Sequence, residues 1–128
     1  MVNVNDKRPV NLDLTTMQFP VTALVSISHR IAGVALFVAL PLLLWMLDRS
    51  LASADSFAKL QTLLATPLAK LVLWAILAAV LFHLVAGIRH LFMDWGIGET
   101  LEGGRRAAFA SFVIAAVLIA AAGVWLWA

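Results

Sequence analysis

Two histidines and an arginine stand in the run His83-Leu-Val-Ala-Gly-Ile-Arg-His90, inside a segment that is otherwise apolar and long enough to cross a bilayer. Ionisable groups are costly in that setting, so they tend to mark a site. On a helix, His83 and His90 are seven residues apart and share nearly one face, separated by about 10 Å along the axis. Gly87, one turn after His83, clears side-chain bulk from that face. A deep histidine beside a smooth patch is what an axial ligand to a flat porphyrin needs, because the ring must approach the helix backbone closely.

A second group of polar residues lies in an earlier apolar segment. Ser26 and Arg30 are four residues apart and share a helical face, with His29 three residues from Ser26 and Gly33 four from His29. A hydroxyl, an imidazole and a guanidinium thereby converge just beneath one membrane surface. An arginine with a serine one turn away holds a polar head group or a propionate by charge-assisted hydrogen bonds. A quinone suits such a pocket: its carbonyl oxygens need donors, its protons come from nearby water, and its tail lies in lipid.

Each of these residues also has a plainer role. Arg30 and Arg89 stand near helix ends, where the simplest expectation is that each snorkels to the interface. His90 pairs with Asp94 one turn on, either as a structural cap or as part of a proton route. A serine in a membrane helix commonly bonds back to its own backbone. His83 is different, because it is the deepest ionisable group and lies beyond easy snorkelling reach.

The elements that must position these residues are membrane helices. With 63% hydrophobic and 12% charged residues in 128, the chain has too little polar surface for an ordinary soluble domain. Residues 1–20 are polar and carry Pro9 and Pro20, with no apolar core and small-residue cleavage site of the kind a signal peptide has. Hydrophobic spans are expected at about 21–47, 67–93 and 107–127, in a single domain covering 1–128. Residues 48–66 read as a connection, with Asp48-Arg49-Ser50 and Ser53-Ala-Asp55-Ser56 as turn or capping signals and a short surface helix near 57–64. Residues 94–106, with four glycines, read as a polar loop in which Glu99 and Glu102 are most simply solvated charges, or else admit protons to a site below. Trp125 and Trp127 are expected as interface anchors.

The chain has no cysteine, which excludes thiolate-held iron–sulfur clusters and disulfides within it. Its net charge of +2 comes without any basic stripe, so no nucleic-acid partner is expected. The positive residues instead sit at span ends. Lys7, Arg8, Arg30, Arg89, Arg105 and Arg106 gather at one end, against Arg49, Lys59 and Lys70 at the other. By the positive-inside rule the N terminus is cytoplasmic and the C terminus periplasmic.

Taken together, Arg8-Pro9, Ser26-Ile-Ser-His29-Arg30-Ile-Ala-Gly33 and His83-x-x-x-Gly87-Ile-Arg89-His90-Leu-Phe-Met-Asp94-Trp-Gly96 resemble the cytochrome b556 membrane-anchor subunits of succinate dehydrogenase, respiratory complex II. The resemblance covers essentially the whole chain. It departs from the family pattern at Ala32, where a small hydroxyl residue is usual, and in a slightly short loop after Asp94. It implies an all-α integral membrane protein whose three transmembrane helices form half of a heterodimeric haem-binding bundle. It further implies that His83 is an axial ligand of haem b, with the second ligand from a partner anchor subunit of three helices. Ser26 and Arg30 match the ubiquinone site, and His29 and Arg30 lie where haem propionates are held. Succinate oxidation belongs to the family's flavoprotein and iron–sulfur subunits, docked on the cytoplasmic face of the bacterial inner membrane with help from Arg8-Pro9. This chain is thus expected to be a non-autonomous subunit of the enzyme, without catalysis of its own.

Two other readings stand beside this one. The anchor of a fumarate reductase running with menaquinol would have the same sequence features. A non-redox membrane subunit would use His83, His90 and Asp94 as a proton relay.

Overall fold

The computed structural model describes residues 12–128. Lys7 and the Arg8-Pro9 pair lie outside the described residues. The first described element is a short 3-10 turn, Leu14–Thr16, held by Asp13, whose carboxylate accepts hydrogen bonds from the Thr15 amide and hydroxyl. Those two bonds hold the Asp13 carboxyl below its usual pKa range. Four α-helices follow: α1 (Val21–Ala52), α2 (Ala54–Leu64), α3 (Pro67–Asp94) and α4 (Leu101–Trp127). Helices α1, α3 and α4 are long and apolar enough to cross a membrane. They pack against one another in an up-down-up arrangement, α3 running antiparallel to both α1 and α4, and α2 is the short helix at the α1–α3 connection.

Two boundaries differ from the sequence reading. Helix α1 continues past Leu47 to Ala52. Asp48, Arg49 and Ser50 do not turn the chain, because they bond within the helix: Arg49 pairs with its neighbour Asp48, and the Ser50 hydroxyl donates to the Leu47 carbonyl. The break comes at Ser53, whose side chain accepts from the Ser56 amide and starts α2, while the Ser56 hydroxyl donates to the Arg49 carbonyl. As a result α2 begins three residues before the expected surface helix.

The other difference lies after Asp94. Only residues 95–100 form the connection, and α4 starts at Leu101 rather than near 107. Gly96 and Gly98 take positive φ angles of 78° and 79°, a conformation that glycine adopts without steric penalty. The Ile97 amide bonds back to the Phe92 carbonyl and closes the end of α3. Thr100 caps α4 by accepting from the Gly103 amide, and Glu102 pairs with Arg106 one turn on. Gly103 and Gly104 are helical rather than loop residues. A Cβ on Gly103 would stand 3.2 Å from the Gly98 Cα, so their smallness lets the turn fold back over the helix start.

The buried core is thin. Val25 of α1, Ala86 of α3 and Ala108 of α4 meet where the three helices cross, flanked by Val21, Phe82 and Phe112. Most large apolar side chains face outward, including Phe37 at 77% exposure and Val38 at 71%. In water such a surface would drive aggregation; against acyl chains it is at home.

At the opposite end α3 and α4 are locked by Trp74, whose indole N–H donates to the Ile119 carbonyl at 2.9 Å and whose ring meets Trp127 edge-on. A Cβ on Gly123 would lie 3.0 Å from the indole nitrogen. Gly123→Val should therefore force the helices apart at an overpacking cost of about 1–3 kcal/mol. Trp74→Phe removes the interhelical hydrogen bond at a cost nearer about 0.6 kcal/mol. Unfolding by titration with dodecyl sulfate, followed by circular dichroism, should show the larger shift for Gly123→Val; equal or reversed shifts would count against this packing.

Candidate functional site

Small residues bring α1 and α3 close enough for their histidines to meet. Each helix carries the same spacing, His29-x-x-x-Gly33 and His83-x-x-x-Gly87, and the helices run in opposite directions. Each imidazole packs over the other helix's glycine. A Cβ on Gly33 would sit 3.1 Å from His83 Cε1, and one on Gly87 would sit 3.6 Å from His29 Nε2. The expected smooth patch at Gly87 exists, but it receives the ring of His29, while the glycine beside His83 is Gly33. This reciprocal spacing was available in the sequence as a sign that the two histidines face each other.

The three histidines form one cluster. His29 and His83 stack with centroids 4.1 Å apart and 23° between planes, and His90 lies 5.2 Å from His29 at 40°. His83 Nδ1 is 3.2 Å from the His29 carbonyl oxygen. A carbonyl can only accept, so Nδ1 carries the proton and Nε2 keeps its lone pair. That lone pair lies in the ring plane, so the stacked His29 does not obstruct it. An N–H···O=C bond on one imidazole nitrogen is the usual way a metal-ligating histidine is oriented through the other. Among the described residues no three histidine or carboxylate side chains converge to make an all-protein metal site. Axial ligation of a porphyrin needs only one.

His29 contributes a second feature. Its Nε2 is buried and has no hydrogen-bond partner among the described residues. An anionic oxygen, such as that of a propionate, would satisfy it. The residues present therefore fit a haem: an oriented imidazole with a free nitrogen, and an orphaned donor or acceptor beside it.

The remaining expected residues separate into two groups. Ser26 is half-buried and Arg30 exposed on α1, at the same end of the bundle as the histidines. Ser26 makes no hydrogen bond among the described residues, whereas Ser111 and Thr62 donate to carbonyls of their own helices. The expected back-bond is thus absent at Ser26, leaving its hydroxyl available. Arg30 makes no ion pair among the described residues. His90 turns to His29 rather than to Asp94, which is exposed.

Arg89 departs from expectation outright. It does not snorkel: it is 5% exposed, and its Nε and Nη1 are buried without partners. Sequence reasoning missed this because proximity to a helix end says nothing about which way the side chain is aimed. Arg89 falls on the face of α3 that meets α4, where Ala107 and Ser111 leave room for it.

Known proteins similar to this chain agree with the architecture. Residues 4–122 match the family model described as the succinate dehydrogenase/fumarate reductase transmembrane subunit. A succinate dehydrogenase cytochrome b556 subunit of Coxiella burnetii is 51% identical over 125 residues, covering 97% of this chain and 100% of that one. The corresponding subunit of Paracoccus denitrificans is 34% identical over 122 residues, covering 92% and 94%. A cytochrome b560 subunit of Reclinomonas americana is 33% identical over 107 residues, covering 80% and 74%. With near-complete coverage, three spans and an oriented deep histidine, the chain belongs to the succinate dehydrogenase/fumarate reductase transmembrane-subunit family, among its cytochrome b556 members.

Proposed function

We propose that this chain holds one face of a haem b and one wall of a ubiquinone-reduction site in a succinate:quinone oxidoreductase. The observation that carries the reading is His83, whose Nδ1–H is engaged by the His29 carbonyl so that Nε2 is the available ligand atom. Haem b, when bound, supplies a one-electron relay whose potential is set by its axial ligands and surroundings. His29, through its unpartnered Nε2, and the exposed Arg30 are the groups that would hold the propionates.

Ser26 and Arg30 are assigned to the quinone. The Ser26 hydroxyl donates to one carbonyl oxygen, and the Arg30 guanidinium stabilises negative charge as that oxygen is reduced. His90 and Asp94 lie near the same end and offer a route for the protons that quinol formation consumes. In this reading electrons come from an iron–sulfur subunit, fed by a flavoprotein subunit, docked at the end of the bundle that holds the α3–α4 turn. That end is assigned to the cytoplasmic side of the bacterial inner membrane because Arg30, Arg89, Arg105 and Arg106 gather there. The family's description also covers fumarate reductases, but the relatives cited are named for succinate dehydrogenase, which favours the succinate-oxidising direction.

The test separates the membrane pocket from the soluble arm. In the purified complex, Ser26→Ala or Arg30→Leu should leave succinate oxidation with an artificial dye largely intact, because the dye bypasses the pocket. Quinone reduction should fall by roughly ten- to a hundredfold, the scale of one buried charge-assisted hydrogen bond. Equal loss of both activities would assign these residues to structure instead.

A further inference from the structure

We infer that the cleft between α3 and α4 is a binding site for one anionic membrane lipid, with Arg89 holding its phosphate. The cleft encloses about 500 Å³ and runs from Val85 and Ile114 within the span to Gly98 and Gly103 at the α3–α4 turn. Along α4 that is a length of about 16 Å, from the membrane surface into the acyl-chain region. Its walls are apolar, built from Val85, Ile88, Phe92, Ala110 and Ile114.

Against this lining stands one charged group. Arg89 is 95% buried by its residual exposure of 5%, and neither Nε nor Nη1 has a hydrogen-bond partner among the described residues. A buried, uncompensated guanidinium is strongly destabilising, so an anion is required beside it. The described part of this chain does not supply one. Asp48, Asp55 and Glu102 are already paired with Arg49, Lys59 and Arg106, and Asp13, Asp94 and Glu99 are exposed. Ser111, the other polar side chain in the wall, donates its hydroxyl proton to the Ala107 carbonyl.

The occupant follows from these two facts together. It must carry an oxyanion for Arg89, whose planar fork suits phosphate, and an apolar body for the rest of the cleft. A free phosphate would satisfy the first condition and leave the lining empty. A membrane phospholipid satisfies both, and basic pockets between membrane helices near one surface are where lipid head groups are held. The assignment is independent of the haem reading, since the cleft lies on the α4 side of α3 and the histidines lie on the α1 side.

The test uses the purified, delipidated complex and three probes: phosphatidylglycerol, phosphatidylcholine and inorganic phosphate. For the wild type, thermal unfolding should be delayed more by phosphatidylglycerol than by phosphatidylcholine, and phosphate alone should have no comparable effect. Arg89→Gln should weaken the phosphatidylglycerol effect by roughly ten- to a hundredfold in lipid concentration, the scale of a charge-assisted hydrogen bond. Ala110→Trp fills the cleft from its exposed rim while leaving Arg89 in place, so it should abolish the same increment even if Arg89→Gln does not assemble. Equal protection by both lipids, full protection by phosphate, or an increment that survives Ala110→Trp would each overturn the proposal. A carboxylate of another subunit occupying the site would appear as the first of these results.

Discussion

His83→Ala should convert the complex from a low-spin cytochrome to one with high-spin haem or none, while His90→Ala should keep the low-spin signal. Both histidines lie on α3 and both belong to the same cluster, so the contrast tests placement rather than residue type. Of these two, His83 has a ring nitrogen engaged by a carbonyl and lies deeper in the span. His90 sits seven residues further along, about 10 Å nearer the surface, which is too short a spacing for the same helix face to carry a second porphyrin. The expected effect is all-or-none, because a haem that loses one of two axial ligands cannot remain six-coordinate with two imidazoles. Electron paramagnetic resonance of the purified complex is the measurement. An unchanged low-spin spectrum in His83→Ala would remove His83 from the site.

The sequence made His83 legible for a reason that applies to membrane proteins generally. In an apolar span an ionisable residue has no solvent to neutralise its cost, so its presence is itself a signal. The spans were legible for the same reason, since long apolar runs have few alternatives in a chain with 63% hydrophobic residues. Polar residues near span ends were harder, because they are compatible with both a turn and a continued helix. Asp48 to Ser50 and Glu102 to Arg106 were misplaced on that account: short-range side-chain bonds within the helix satisfied them without ending it. Gly103 and Gly104 were misread because a glycine needed for close packing looks the same in sequence as one needed for a turn.

Tertiary facing was the least legible property. Helical spacing placed Ser26, His29 and Arg30 near one another, but it could not say that His29 turns inward over Gly87 while Arg30 turns out. Nor could it say that Arg89 turns toward α4. Those directions are fixed by which small residues line up at the helix crossings. That alignment depends on two helices at once, so a reading of each helix alone misses it.

This chain expressed alone should bind haem poorly or aggregate, and co-expression with a second anchor subunit should restore a b-type spectrum at one haem per heterodimer. The shared core of the three helices is little more than Val25, Ala86 and Ala108, and the outward faces are apolar side chains with no protein against them. A porphyrin has two faces, and in the proposed arrangement His83 would serve one. The other histidines are not placed to serve the second, because His29 and His90 lie in the same cluster, stacked or tilted against one another rather than opposed across a gap. On that proposal the opposing imidazole would come from another chain, and the helix that brings it would also supply the missing wall. Without that wall, the half-buried His83 is left open to lipid and the buried Nε2 of His29 is left without a partner, and unsatisfied polar groups are costly in a membrane. The size of the effect follows from this geometry: ligation depends on both helices, so haem content should fall to a small fraction rather than to half. Pyridine haemochrome analysis against protein mass, on preparations with and without the second subunit, provides the measurement. A stable, fully haem-loaded preparation of this chain alone, monomeric by mass, would overturn the shared-ligand arrangement.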